Sequence, residues 1–171
     1  MPPRDVELEE LRAYWPDVEL YGPLLFLKPE MVRIGAKSRI DSFCKIEGGE
    51  GIHIGVGVHV ASFSHLGGGG GSLIIEDYVG LASGSKILSG TNDPTAISMS
   101  ASAPHGMMRV KKALTRLKRY AFVGTNAVVM PGVTLQEGAL LGAGSVATKD
   151  IPAWEVWAGV PARRLRRRNT L

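Results

Sequence analysis

Aliphatic residues recur along the chain at intervals of six: Ile34, Ile40 and Ile46; Ile54, Val60 and Leu66; Ile75, Leu81 and Ile87; Leu117, Val123 and Val129; Leu135, Leu141 and Ala147. Four residues after most of these anchors stands a small or β-branched side chain, as at Ser38, Cys44, Val58, Ser64, Val79, Ser85, Ala121, Ala127, Val133, Ala139 and Ser145. Glycine or an acid often follows the anchor directly, as at Gly35, Asp41, Glu47, Gly55, Glu76, Gly124 and Gly142. A six-residue unit with two inward positions is too short for a helical repeat and does not alternate like a hairpin strand. It fits a short strand plus a turn, three of which close one triangular coil, with coils stacked at the strand spacing of about 4.8 Å. The pattern predicts an all-β chain wound as a parallel β-helix.

The interruptions of the period carry position. The intervals from Ile46 to Ile54, Leu66 to Ile75 and Ile87 to Leu117 are eight, nine and thirty residues, and each separates the third anchor of one triplet from the first of the next. All insertions therefore leave from one corner. Phe26 to Ile34 is also eight, which assigns Leu20 and Phe26 to an earlier, incomplete coil. The expected division is an N-terminal segment, residues 1–17, partly helical; a β-helix over 18–160 with an inserted loop at 93–116; and a short basic C-terminal helix or tail at 161–171. The run "HLGGGGGS", residues 65–72, is then the enlarged corner of one coil. A phosphate-cradling loop would need a helix N-terminus after it and, for a nucleoside triphosphate, a lysine and a hydroxyl at fixed spacing; neither follows. Two readings stay open: the glycines permit positive φ and close packing in a widened turn, or backbone approaches a ligand or a neighbouring chain there.

Composition narrows the picture. At 171 residues, 44% apolar, 21% charged and with a formal charge of +4, the chain is one domain able to bury a core. A single cysteine, Cys44, excludes an internal disulfide and a multi-cysteine metal site, and its inward slot makes it core rather than nucleophile. The start "MPPRDVELEE" is acidic where a secretory signal would be basic and then apolar, and no apolar stretch approaches the roughly 18 residues of a membrane span. The expectation is a cytoplasmic protein with no transmembrane segment. Basic residues gather in two stretches, Arg109, Lys111, Lys112, Arg116, Lys118 and Arg119, then Arg163, Arg164, Arg166, Arg167 and Arg168, with no acid between Asp93 and Glu137. Phosphates of a cofactor or nucleotide-linked sugar would suit them. Nucleic acid is disfavoured, since aromatic interleaving is poor and no such motif occurs.

The stretch "VGTNAVVMPGVTLQEGALLGAGSVATKDIPAWEVWAGVPARRL", residues 123–165, resembles the C-terminal half of the hexapeptide-repeat acyltransferases, the left-handed β-helix group that includes galactoside and maltose O-acetyltransferases. Upstream, "VASFSHLGGGGGSLIIEDYVGLASGSKILSGTND" resembles surface-polysaccharide sugar acetyltransferases, and the likeness runs over about residues 18–168. The resemblance implies a left-handed β-helix, a homotrimer with sites between adjacent subunits, and acetyl-coenzyme A as co-substrate without a metal. Carried over by motif, the pantetheine arm would pass Gly124, Thr125, Ala143, Thr148 and Lys149, and Arg163 and Arg164 would stand near the adenosine phosphates, their alternative being a solvated helix face. The implied function is transfer of an acetyl group to a hydroxyl of a sugar or surface-polysaccharide precursor. Alternatives are N-acetylation of a nucleotide-linked amino sugar, or a non-catalytic trimeric binding subunit.

Acyl transfer from a thioester asks for a general base near neutrality and amide donors for the developing oxyanion. Here the chain departs from the family. The resemblance puts Asn92 where galactoside-type enzymes carry their catalytic histidine, and asparagine takes no proton; it puts Ser62 where they have a site asparagine. Asp93 matches an acid of the surface-sugar subset, able to bind an acceptor hydroxyl or serve as base. His65, which borders the pentaglycine corner three residues after Ser62, is the first candidate base, its alternative a turn histidine bonded to backbone. His105 in the long insertion and His59 follow. His53, His59 and His65 are six apart, so they face about 120° from one another and cannot chelate one ion within a chain. The close histidine pair that γ-class carbonic anhydrases use on this fold is absent.

Overall fold

The computed structural model describes residues 8–169. A helix over Leu8–Tyr14 buries Leu11 against the start of a triangular prism with three parallel sheets as its faces. The first face carries Glu19–Leu20, Arg39–Ile40, His59–Val60, Gly80–Leu81, Phe122–Val123, Leu140–Leu141 and Glu155–Gly159. The second carries Leu25–Leu27, Lys45–Glu47, His65–Leu66, Lys86–Ile87, Val128–Val129 and Val146–Ala147. The third carries Val32–Ile34, Gly51–Ile54, Ser72–Ile75, Leu114–Leu117 and Thr134–Leu135, extended by a bridge from Leu135 to Ile151. The fold is a left-handed parallel β-helix.

The repeat explains this shape directly. Every anchor of the five triplets except Ile34 is at most 1% exposed, and the small residues four positions on are buried beside them. Small side chains are required because each turn sends two residues toward one narrow axis, filled at solid-like density. Where the small residue is serine its hydroxyl is paired: Ser38 Oγ donates to the Gly55 carbonyl at 2.9 Å and accepts from the Val58 amide at 3.0 Å. Leu20 and Phe26 are buried and, with Val32–Ile34, complete the first coil that the sequence suggested was partial.

Two boundaries differ from expectation. The thirty-residue interruption is no plain loop: Gly90–Asn92 pairs antiparallel with Val110–Lys112, and the prism resumes at Leu114, inside the segment 93–116 assigned to the insertion. The expected C-terminal helix at 161–171 is absent. Ala162–Arg167 instead returns antiparallel along Glu155–Gly159. The run offers only Ala162 and Leu165 as apolar residues, too few for the stripe of a packed helix, whereas the last strand of the first face has an edge that a returning strand covers.

The pentaglycine resolves in favour of close packing. A Cβ on Gly71 would run into the Ser89 and Ala113 carbonyl oxygens, and one on Gly69, which sits at φ +90°, into the Gly90 backbone. The corner thus packs backbone to backbone beneath the base of the insertion. Gly71→Ala is expected to lower unfolding free energy by about 1–3 kcal/mol, the usual cost of overpacking, as read by urea denaturation; unchanged stability would mean the insertion base shifts freely.

Candidate active site on the second face

One face and its two bounding corners collect most of the sequence candidates. Ser62, Gly124, Thr125 and Ala143 lie in turns leading from the first face onto the second, and Thr148 and Lys149 in the turn leaving it. His65 stands on the face itself, and Asn92 and Asp93 at the base of the insertion on its leaving corner. Arg163 and Arg164 belong to the C-terminal hairpin on the first face; the Gly159 amide donates to Ser145 Oγ at 2.9 Å, which ties that hairpin's turn to the corner holding Ala143. His105 is not brought to the group. It is exposed near the tip of the insertion, with no side-chain hydrogen bond among the described residues.

His65 is held by an acid, not by backbone. Its Nε2 lies 2.8 Å from Glu47 Oε1, which also receives Lys45 Nζ at 2.6 Å. Burial pushes the Glu47 carboxyl up, but the hydrogen bonds from Lys45 and His65 outweigh it and leave the group below the usual range. With 29% of its side chain exposed, His65 is fixed yet reachable. The same device recurs one face earlier, where His59 Nε2 lies 3.0 Å from Asp41 Oδ2 and Arg39 Nε 2.6 Å from Asp41 Oδ1. A basic residue, an acid two residues on and a histidine one coil above therefore form a cross-coil ladder, and only the His65 copy borders the insertion. His53 sits on the third face, so the three histidines occupy three faces. Among the described residues no three His, Cys, Asp or Glu side chains converge on a possible metal site.

Asn92 and Asp93 fasten the insertion. Asn92 Nδ2 donates to the Met99 carbonyl at 2.5 Å. Asp93, 7% exposed, accepts from the Thr95 amide at 2.9 Å and Thr95 Oγ1 at 2.8 Å, with Lys111 Nζ at 3.1 Å and Arg109 Nη2 at 3.7 Å. These contacts, the Thr95 amide foremost, bring its carboxyl down to about 2. So held, Asp93 is a weak proton acceptor and a strong clasp. Cys44 is core as expected, 1% exposed, with burial pushing its thiol up to about 11.

The basic stretches also change meaning. Lys112 pairs with Glu50 at 2.9 Å and Arg119 with Asp77 at 3.1 Å, so much of the first stretch is neutralised by acids from other coils. Arg164 is taken by Glu155 at 2.9 Å, whereas among the described residues Lys149, Arg163, whose Nη1 donates to the Ala162 carbonyl, and Arg166 have no acidic partner. Residues that the motifs passed over also border the second face: Glu47, Ser83, Lys86 and the stacked pair Phe43 and Phe63. A signal for the first face-mates existed, because Lys45, His65 and Lys86 each immediately precede the third anchor of a triplet.

No family model matches the chain. It is 29% identical over 169 residues to dTDP-4-amino-4,6-dideoxy-D-glucose acyltransferase of Escherichia coli, covering 96% of this chain and 88% of that one. Galactoside O-acetyltransferase of E. coli K12 is 48% identical over 28% of this chain and 24% of its own length. Among solved structures, an aspartate variant of AntD, an N-acyltransferase from Bacillus cereus in complex with dTDP and coenzyme A, superposes with a TM-score of 0.86 at 26% identity, covering 96% of this chain and 91% of that chain. These relatives are hexapeptide-repeat acyltransferases, and the chain shares their left-handed β-helix, as the sequence resemblance implied. No helix among the described residues is long and apolar enough to cross a membrane.

The Asp93 clasp has a pH signature. Because the folded carboxyl titrates below its ordinary value near 4, its contribution to holding the insertion is complete above that value and is lost as pH falls toward 2. Carboxyl chemical shifts should place its midpoint near 2, and Asp93→Asn should speed protease cleavage within residues 94–109 several-fold at neutral pH.

Proposed function

We propose that the protein is a coenzyme A-dependent acyltransferase that acylates the amino group of a nucleotide-linked amino sugar. The observation that carries this reading is Asn92: the residue at the position of the usual catalytic base can take no proton, and its amide is spent on the Met99 carbonyl. A sugar hydroxyl needs a base to attack a thioester, whereas an amine, once unprotonated, brings its own lone pair and needs only a group to collect the proton afterwards. Relatives alignable over nearly the whole chain act on, or are bound to, dTDP-linked compounds. AntD has been crystallised with an aspartate, and separately a serine ten positions earlier, replaced; Ser83 and Asp93 have the same spacing here.

In this reading the donor lies along the upper coils, past Gly124, Thr125, Ala143, Thr148 and Lys149, with Arg163 toward its phosphates. Acetyl-coenzyme A is the donor considered. The acceptor lies lower on the same face, with Ser62, Ser83 and the Asn92–Asp93 base near the transfer point. His65 collects the proton on the ring nitrogen not bonded to Glu47, and Asp93 orders the insertion around the acceptor. The amine attacks the thioester carbonyl, the tetrahedral intermediate expels the coenzyme A thiolate, and the amide forms. A homotrimer would complete the site: the insertion exposes Ile97, Met99 and Met107, side chains suited to a neighbouring copy. A trimeric mass in light scattering is expected.

O-acetylation of a sugar is the second reading, favoured by the galactoside O-acetyltransferase match in 28% of the chain. Thiol release from acetyl-coenzyme A decides between them: dTDP-4-amino-4,6-dideoxyglucose should be turned over and galactosides should not, and the reverse would give the O-acetyl reading. No release with any acceptor would favour a binding subunit. His65→Ala should lower turnover about 100-fold, the lower range for a lost base, with coenzyme A binding intact; a larger loss for Asp93→Asn would move the proton to the aspartate. Arg163→Ala should raise the donor KM about 10-fold, as loss of a charge-assisted phosphate contact does, and Arg164→Ala should matter less.

A further inference from the structure

The corner between the first and second faces repeats one backbone position in five successive coils, and its occupants are Phe43, Phe63, Gly84, Asn126 and Gly144, all at φ between 55° and 72°. Left-handed backbone is costly for a bulky side chain, and Phe43 and Phe63 are 56% and 64% exposed, so burial does not offset that cost. Their rings stack on each other, 5.1 Å between centroids and 5° from parallel. One coil higher the column stops. Gly84 carries no side chain, so the upper face of the Phe63 ring has no aromatic partner among the described residues.

Gly84 is buried beneath Asn126, so the column is capped by a carboxamide and not by a ring, and two polar groups border the exposed Phe63 side chain. Lys86 turns back from the second face, its Nζ donating to the Gly84 carbonyl at 3.0 Å, and it has no acidic partner among the described residues. From the coil above, the Asn126 amide leans over Gly84 so closely that a Cβ there would strike its Oδ1, and this amide makes no hydrogen bond among the described residues. The opposite corner shows what a filled column looks like. Tyr78 stacks on Tyr120 at 5.8 Å, the Trp154 ring covers Gly138, and Arg168 caps Trp154 at 5.7 Å. There the protein supplies every ring and closes the stack itself.

We propose that the exposed Phe63 ring below Gly84 seats the nucleoside diphosphate of the acceptor, its base stacked on Phe63 within reach of the Asn126 amide and its diphosphate paired with Lys86. This rests on the acceptor class given above and assigns it a place. An exposed aromatic face, a carboxamide and an unspent ammonium are the groups that a flat heterocycle and an adjoining diphosphate require. The donor is an unsuitable occupant, because Gly124, Thr125, Ala143, Thr148 and Lys149 all lie on coils above the rung. The apolar depression beneath Phe43, lined by Pro23, Leu24 and Leu25, offers only Lys45, which Glu47 already holds at 2.6 Å. Ser83 directly precedes Gly84, so a sugar attached to the diphosphate emerges beside the transfer point.

Titration calorimetry with dTDP on the coenzyme A-saturated protein tests the assignment. Phe63→Ala and Lys86→Ala should each weaken dTDP binding about 10-fold or more, the size of a lost stacking or charge-assisted contact. Phe63→Tyr should retain affinity. Each variant should bind coenzyme A within two-fold of the parent, which also checks folding. If both alanine variants bind dTDP like the parent, the rung is not the seat, while the acceptor class stands. If the variants lose coenzyme A affinity and keep dTDP, the slot belongs to the donor and the proposal fails. If the parent itself binds neither dTDP nor UDP, the nucleotide-linked acceptor is wrong, and the seat with it.

Discussion

The ladder of backbone hydrogen bonds between successive coils fixes everything else in this molecule. In a parallel coil each strand pairs with its equivalents one turn below and above, so Arg39 stands under His59 and His59 under Gly80, and Lys45 under His65 and His65 under Lys86. A position in the hexad thereby becomes a column along the prism. Inward columns must be aliphatic or small, or the axis would hold voids or clashes. Outward columns are free, and chemistry is written there. The cross-coil ladders of Glu47 with His65 and Asp41 with His59 are consequences of column geometry: an acid on one rung lies within bonding distance of the imidazole on the next.

The same constraint explains the single corner of insertion. A residue added within a strand would rotate every later side chain by one place and send polar groups to the axis. Added between the second and third faces, it costs only a wider turn, provided that turn can fold against its neighbours. Gly69 and Gly71 meet that condition by letting the corner pack against the Gly90, Ser89 and Ala113 backbone. The insertion then begins as a two-stranded ribbon clasped by Asp93 and braced to an earlier coil through Lys112 and Glu50, so its base is defined even where its tip is exposed.

How much of this the sequence discloses follows from which interactions are periodic. The anchors, the small inward residues and the corner of insertion are repeated, and repetition makes them readable from spacing alone. The C-terminal strand is not part of the repeat. "ARRLRRR" carries one buried residue, Ala162, too few to continue the hexad, and its conformation follows the uncovered edge of the first face, which spacing does not reveal. The resemblance located Asn92 and Asp93 but not what binds them: the Met99 carbonyl comes from within the insertion and the Lys111 ammonium from its returning strand, contacts that no hexad encodes. Phe43, Phe63 and Gly84 lay in plain view, twenty and twenty-one residues apart, yet only a column count identifies them as neighbours.

Charge teaches the same lesson from the opposite side. A stretch with six basic residues and no acid between Asp93 and Glu137 suggests an anion site when the chain is read as a line. In the folded chain, acids distant in sequence, Glu50 and Asp77, together with Asp93 at the insertion base, take up Lys112, Arg119 and Lys111. Paired cations of this kind brace the insertion and its neighbouring corner and have little charge left for a ligand. Several cations have no acidic partner among the described residues, and of these Lys86 lies beside Gly84, and Lys149 and Arg163 beside the upper coils. Two phosphate-bearing substrates meeting on one surface need separated cations rather than a continuous basic patch, since a patch would let either substrate bind in the other's place. The local density of charge therefore says little here, and under the proposed function Lys86 on one side and Lys149 with Arg163 on the other would take the phosphates of different substrates.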